Sequence, residues 1–150
     1  MKITKIESLS LDNIAHGQYT WVRVYTDTGL VGLGETTFHP RSIAAFVDEA
    51  LAPLLLGEDP LDIERHWRTM YRFAHSTANR GINICAISAV DVALWDIFGQ
   101  VAGQPLYQVL GGRFRDSIRV YNTCAGPSHD SSGHRWDDFA AQWERPAELA

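Results

Sequence analysis

Lysine is nearly missing from this sequence. Lys2 and Lys5 are the only two, and the remaining basic residues are arginines dispersed along the chain. With a net charge of −5 and no basic stripe, a nucleic-acid footprint is excluded. Cysteine is as sparse. Cys85 and Cys124 stand far apart without metal-ligand spacing, so they read as reduced thiols in a cytoplasm rather than as a disulfide framework. No run of eighteen apolar residues occurs, so no membrane span is expected. The first residues lead straight into a mixed strand pattern, without an apolar signal region. Internal repeats and low-complexity linkers are absent as well. What is there is 150 residues, 45% hydrophobic and 21% charged, which suffices for the core of a globular domain.

Strand signals come first. Residues 2–11 mix Ile3, Ile6, Leu9 and Leu11 with Ser and Thr, and 12–20 breaks that pattern with Asn13, His16 and Gly17. Trp21 to Tyr25 alternates, Val22 and Val24 against Trp21, Arg23 and Tyr25. Asp27-Thr-Gly29 predicts a tight turn with the glycine at positive φ. A third strand follows at 30–35, where Gly32 and Gly34 signal close approach by another backbone.

Helix signals follow. Ile43, Phe46, Val47, Ala50 and Leu51 have helical spacing, Pro53 must kink or restart that helix, and Gly57 closes it. Asp59-Pro60 predicts the next start. Ile63, Trp67, Met70 and Tyr71 then repeat, with Glu64 and Arg68 paired on the polar side. The strongest pattern is 86–102. Ile87, Val90, Leu94, Ile97, Phe98 and Val101 share one face, and Ala86, Ala89, Ala93 and Gln100 fall elsewhere. Trp67 and Trp95 read as core. Asp96 lies opposite the stripe, where water would solvate it. Asp91 lies at its edge and needs a partner there, so it reads as a structural clamp rather than a catalytic acid. Gly103 stops the helix, Pro105 opens a short one, and Gly111-Gly112 ends that. Three strands followed by helices predict an α+β domain with a three-stranded meander sheet on a helical layer. It ends near Arg115, and 118–124 reads as a new strand.

Three segments carry a resemblance. Ala89-Val-Asp-Val-Ala-Leu-Trp-Asp-Ile97 with Gly103-Gln-Pro-Leu-Tyr-Gln-Val-Leu-Gly-Gly112, the opening Met1-Lys-Ile-Thr-Lys-Ile6, and Thr26-Asp-Thr-Gly-Leu-Val-Gly-Leu-Gly-Glu35 stand in order and in register. Together they resemble the mandelate racemase/muconate lactonizing enzyme family of the enolase superfamily. The resemblance implies an N-terminal capping domain at 1–115. It also implies that 116–150 holds the first strand and loop of a modified TIM-type α/β barrel, most of which is not in this sequence. The chain therefore reads as the front of a longer polypeptide; a stand-alone binding module is the alternative of another class.

Such enzymes abstract the proton α to a carboxylate with a Lys or His base, and Mg²⁺ stabilises the enediolate. The base and metal ligands belong to later barrel strands. Lys2 and Lys5 do not match the Lys-x-Lys base, so no catalytic residue and no metal ligand is assigned in this segment. What the resemblance does place is pocket lining. Two cap loops close the barrel mouth and supply His16, Gln18 and Tyr19, then Thr37, Phe38 and His39. The end of barrel strand one adds Tyr121, Asn122 and Thr123. These hydrogen-bonding groups with a few aromatics suit a polar, hydroxylated acid. The expected parent is a cytoplasmic, homo-oligomeric acid-sugar dehydratase acting on a small carboxylate, with a racemase/epimerase or cycloisomerase as alternative. His129-x4-His134, with Asp130, Asp137 and Asp138, has metal-ligating residue types. Its Ser- and Gly-rich surroundings leave it unorganised, and it reads as a loop.

Overall fold

The computed structural model describes residues 1–14, 17–37, 39–75 and 80–119, with backbone alone at 11–14 and 17–18. Strands β1 (Ile3–Ile14), β2 (Gly17–Thr26) and β3 (Val31–Thr37) form an antiparallel meander in that order. Val22 and Val24 are wholly buried on the helix-covered face, and Arg23, between them, is exposed on the other. Gly29 takes φ 85 in the β2–β3 turn, as Asp27-Thr-Gly29 predicts.

The break expected at 12–20 is narrowed to a register shift between Leu11 and Ile14, and strand pairing runs on past it among the described residues. Leu11 stands opposite Tyr19 and Ile14 opposite Gly17, so this stretch is a hairpin arm with only residues 15 and 16 between its strands. Cross-strand backbone bonds do not require apolar side chains, and they carry the pairing beyond the polar residues.

Helix α1 (Pro40–Phe46) runs through a π-helical turn (Val47–Leu51) into α2 (Ala52–Leu55). The π turn is how the chain meets Pro53. A proline ring cannot lie against the carbonyl four residues earlier, and widening the preceding turn relieves that clash. Gly57, at φ 83, ends the rod. Helix α3 (Ile63–His75) starts one turn later than Asp59-Pro60 predicts. Asp59 instead caps a tight turn, its carboxylate accepting the Leu61 amide at 3.0 Å. The buried face of α3 is Ile63, His66, Met70 and Ala74. Trp67 is half-buried and stacks on Tyr71 at 4.8 Å, and Trp95 is likewise half-buried, so both line the core rather than fill it. His66, unanticipated in the core, holds the Asp59 carbonyl with its Nε2 at 2.6 Å.

Helix α4 (Ile82–Ala102) is buried on two sides. Ile87, Val90, Leu94 and Ile97 are core as read, whereas Val101 is 49% exposed. Ala86, Ala89 and Ala93, expected off the apolar stripe, are completely buried. For Ala89 and Ala93 the reason is Gly32 and Gly34. A Cβ at Gly34 would stand 1.8 Å from the Ala89 carbonyl oxygen, and one at Gly32 2.0 Å from that of Ala93. Alanines on the helix and glycines on the strand let the two backbones touch. By length and composition α4 is apolar enough to cross a membrane; here it packs against β2, β3, α1 and α3.

Asp96 also departs from expectation. It accepts the Leu33 amide at 2.9 Å and a Gln100 amide at 3.1 Å, and Gln100 donates to the Val31 carbonyl at 2.8 Å. These two side chains occupy the outer edge of β3, satisfying backbone groups that have no neighbouring strand. The helix then stops as predicted. Gly103 is left-handed at φ 61, and the Gly103 and Gln104 amides bond the carbonyls of Gln100 and Gly99. Helix α5 (Leu106–Val109) follows Pro105 and ends before Gly111 and Gly112, both at positive φ. Of the strand expected at 118–124, Ile118 and Arg119 are irregular and the rest lies outside the described residues.

The glycine contact yields a direct prediction. Gly34→Ala drives a Cβ into backbone that no rotamer can relieve, and should cost about 3 kcal/mol or more. That corresponds to a fall in Tm of roughly 6–12 °C in a thermal melt followed by circular dichroism. Leu33→Ala, at a position 49% exposed, should change Tm little. Equal melting of wild type and Gly34→Ala would contradict the packing.

Candidate substrate-capping end of the sheet

The cross-strand register brings the two segments expected to line a pocket to one end of the sheet. Tyr19 pairs with Thr37 and Thr20 with Thr36, and the Ile14–Gly17 pair lies beyond them. The chain leaves β3 at Thr37 and enters α1 at Pro40, so His39 sits at the same end. Tyr19 is half-buried and stacks on Trp21 at 5.9 Å, and the Trp21 indole N–H donates to Glu35 at 2.7 Å. His39 is exposed and left-handed, at φ 46 and ψ 53. Its carbonyl accepts the Ile43 amide at 3.0 Å, the first bond of α1. Tyr19, Thr37 and His39 are thus gathered together. His16, Phe38, Tyr121, Asn122, Thr123 and the side chain of Gln18 lie outside the described residues, as does the His129–His134 stretch.

Farther along the open face, Glu7 accepts bonds from Lys5 and Tyr25, both at 2.7 Å. The Lys5 bond, then the Tyr25 bond, hold the Glu7 carboxyl below its ordinary range, and Glu7 in turn raises the Lys5 ammonium. Lys5 is exposed and Glu7 half-buried on the open face, so this is a surface pair of small energetic weight.

The opposite end of the sheet carries a shallow depression between α4 and α5, lined by Asp96, Gln100, Gln104 and Leu106. Asp96 and Gln100 are already engaged with the edge of β3, which leaves little chemistry for a ligand there. Among the described residues, no three His, Cys, Asp or Glu side chains gather in a way that could hold a metal ion. The described part of the chain does not fit Mg²⁺.

Comparison with known proteins joins these features to a lineage. Residues 4–111 match the family model of the mandelate racemase/muconate lactonizing enzyme N-terminal domain. This chain belongs to that family.

A D-mannonate dehydratase of Novosphingobium aromaticivorans is 45% identical over 111 residues, which are 72% of this chain and 27% of that protein. A D-galactonate dehydratase family member from Pseudarthrobacter chlorophenolicus is 42% identical over the same shares of the two chains. A crystal structure of an enolase of the mandelate racemase subgroup, from Agrobacterium tumefaciens, superposes with a TM-score of 0.73 at 40% identity. It covers 81% of this chain and 33% of that one. The chain thus spans about a quarter of the length of the curated relatives it matches. Its meander sheet with packed helices is the fold of the family's capping domain.

Two features of this capping domain were not anticipated from its residues. Ser10 and Thr20 both reach the Pro40 carbonyl. The signal was present: Thr20 is in phase with Val22 and Val24, so a hydroxyl falls on a core face and must find an acceptor. Asp91, within the family's helical motif, was expected to clamp a neighbour. It makes no hydrogen bond or ion pair among the described residues. Burial, and then the nearby Glu64 charge on α3, push its carboxyl above the usual range.

That upward shift fixes a sign. A carboxyl whose folded pKa lies above its unfolded one stabilises the fold fully below the unfolded value, about pH 4, and loses that contribution as pH rises through the folded value. Asp91→Asn should therefore gain in Tm relative to wild type between pH 4 and pH 7. Melts across that range decide it. A variant that falls progressively behind wild type over the same range would reveal a charged partner for Asp91.

Proposed function

We propose that this chain is the capping part of an acid-sugar dehydratase, with 1–115 as the cap and 116–150 as the entry to a TIM-type barrel. The observation that carries the reading is the 45% identity to a D-mannonate dehydratase over 111 residues. In such a reaction the C2 proton and C3 hydroxyl of a sugar acid leave as water. The resulting enol becomes a 2-keto-3-deoxy acid. Residues of the barrel, which this chain does not include, would hold a Mg²⁺ that would supply charge favouring the enediolate. The cap's share is to cover the site and hydrogen-bond the hydroxyls. Tyr19 and His39 have the right chemistry for that role, and we assign His16, Gln18, Phe38, Tyr121 and Asn122 to it with them. Sites built to bond a hydroxyl reject analogues that lack it, because their polar groups are left unpaired. We further propose that the enzyme works as a cytoplasmic homo-oligomer. Racemisation or epimerisation is the second reading, favoured by the similarity to a structure of the mandelate racemase subgroup.

The test is to express the full-length polypeptide and screen aldonic and aldaric acids with Mg²⁺, detecting 2-keto acid. Formation of 2-keto-3-deoxy product is expected. Deuterium exchange at C2 without elimination, or turnover of aromatic hydroxy acids alone, would overturn the dehydratase assignment.

A further inference from the structure

Ser10 and Thr20 face each other across β1 and β2, on the face that carries Val22 and Val24. Both hydroxyls donate to one acceptor, the Pro40 carbonyl, at 3.2 and 3.3 Å. Thr20 is completely buried, so water cannot take over its bond. Pro40 is buried as well. The carbonyl held in this way belongs to the residue that follows His39.

His39 is the one non-glycine residue with positive φ among the described residues. A residue with a Cβ avoids that region, and a residue before proline is pressed towards extended backbone. An N-cap residue is also ordinarily extended, with a side chain that bonds the helix. His39 does neither: it is left-handed, and its ring makes no cap bond. A conformation of this kind persists only where its surroundings impose it, and such positions cluster at ligand clamps. The Pro40 carbonyl, which accepts both hydroxyls, belongs to the next residue.

We propose that Ser10 and Thr20 are positioning residues. Their paired hydroxyls fix the Pro40 carbonyl, hold His39 left-handed, and so set the imidazole at the capping end of the sheet, where it discriminates among the hydroxyls of a sugar acid. The substrate half of this inference rests on the function proposed above. The clamp itself does not.

Two measurements separate them. In the isotopically labelled 150-residue chain, the Cα and Cβ shifts and the amide–Hα coupling of His39 report its backbone conformation. Thr20→Val removes the hydroxyl and keeps the shape, and it should move these signals away from left-handed values. Thr20→Ser should leave them in place. Ser10→Ala, at a half-buried position, tests the same clamp if Thr20→Val does not fold. Unchanged His39 signals in a folded variant overturn the clamp, whatever reaction the parent performs. In the full-length polypeptide, Thr20→Val, Ser10→Ala and His39→Gly should each raise KM for the sugar acid roughly fivefold to tenfold, the weight of one hydrogen bond, with kcat within about twofold. Thr20→Ser should restore KM. An unchanged KM in His39→Gly, which accepts the left-handed backbone without strain, overturns the substrate half.

Discussion

Everything in this domain depends on how closely α4 approaches β3. Two backbones can touch only where neither carries a side chain larger than a methyl group, and the chain meets that condition twice over. Gly32 and Gly34 lie under Ala93 and Ala89, at distances that exclude even one added carbon. The helix is thereby fixed along the strand, residue against residue. Its aliphatic side, Ile87, Val90, Leu94 and Ile97, then fills the core beneath the sheet and towards the other helices.

That registration explains the two ends of the sheet. At the end near Val31, the last turns of α4 bring Asp96 and Gln100 alongside the open edge of β3. A bare edge would invite another strand; here a carboxylate and an amide occupy it. At the end near Thr37 the hairpin arm and the turn into α1 project. One end of the sheet is thus closed by the domain's own side chains, while the other presents Tyr19 and His39.

The residues themselves announce much of this and conceal some of it. Alternation at Trp21–Tyr25, the Asp27-Thr-Gly29 turn and the Gly103 stop are local signals, each set by the steric rules of one or two residues, and each is legible. Gly32 and Gly34 announce close approach but not by what, because the partner lies far along the chain. For the same reason the alanines of α4 look like a neutral flank until the glycines are placed beneath them. Asp96 looks solvated because helical periodicity knows only its own helix, not the strand edge beside it. The polar composition of 12–20 hides a strand, since pairing is decided by backbone bonds. At the candidate site, Tyr19 and His39 follow from family resemblance, while the Ser10–Thr20–Pro40 contact requires three segments in register. Asp91 departs from the expected clamp because burial, and then the Glu64 charge on α3, act on it without a partner among the described residues.

Helix α4 is locked onto the edge strand β3. Native-state hydrogen exchange at the Leu33 amide tests it most directly. This amide points off the edge of the sheet, and its only described acceptor is the Asp96 carboxylate at 2.9 Å. If α4 is docked as described, the Leu33 amide should be protected nearly as strongly as that of Val24 in the central strand, exchanging only when the domain unfolds as a whole. Exchange at the rate of an open strand edge, while Val24 stays protected, would contradict the account.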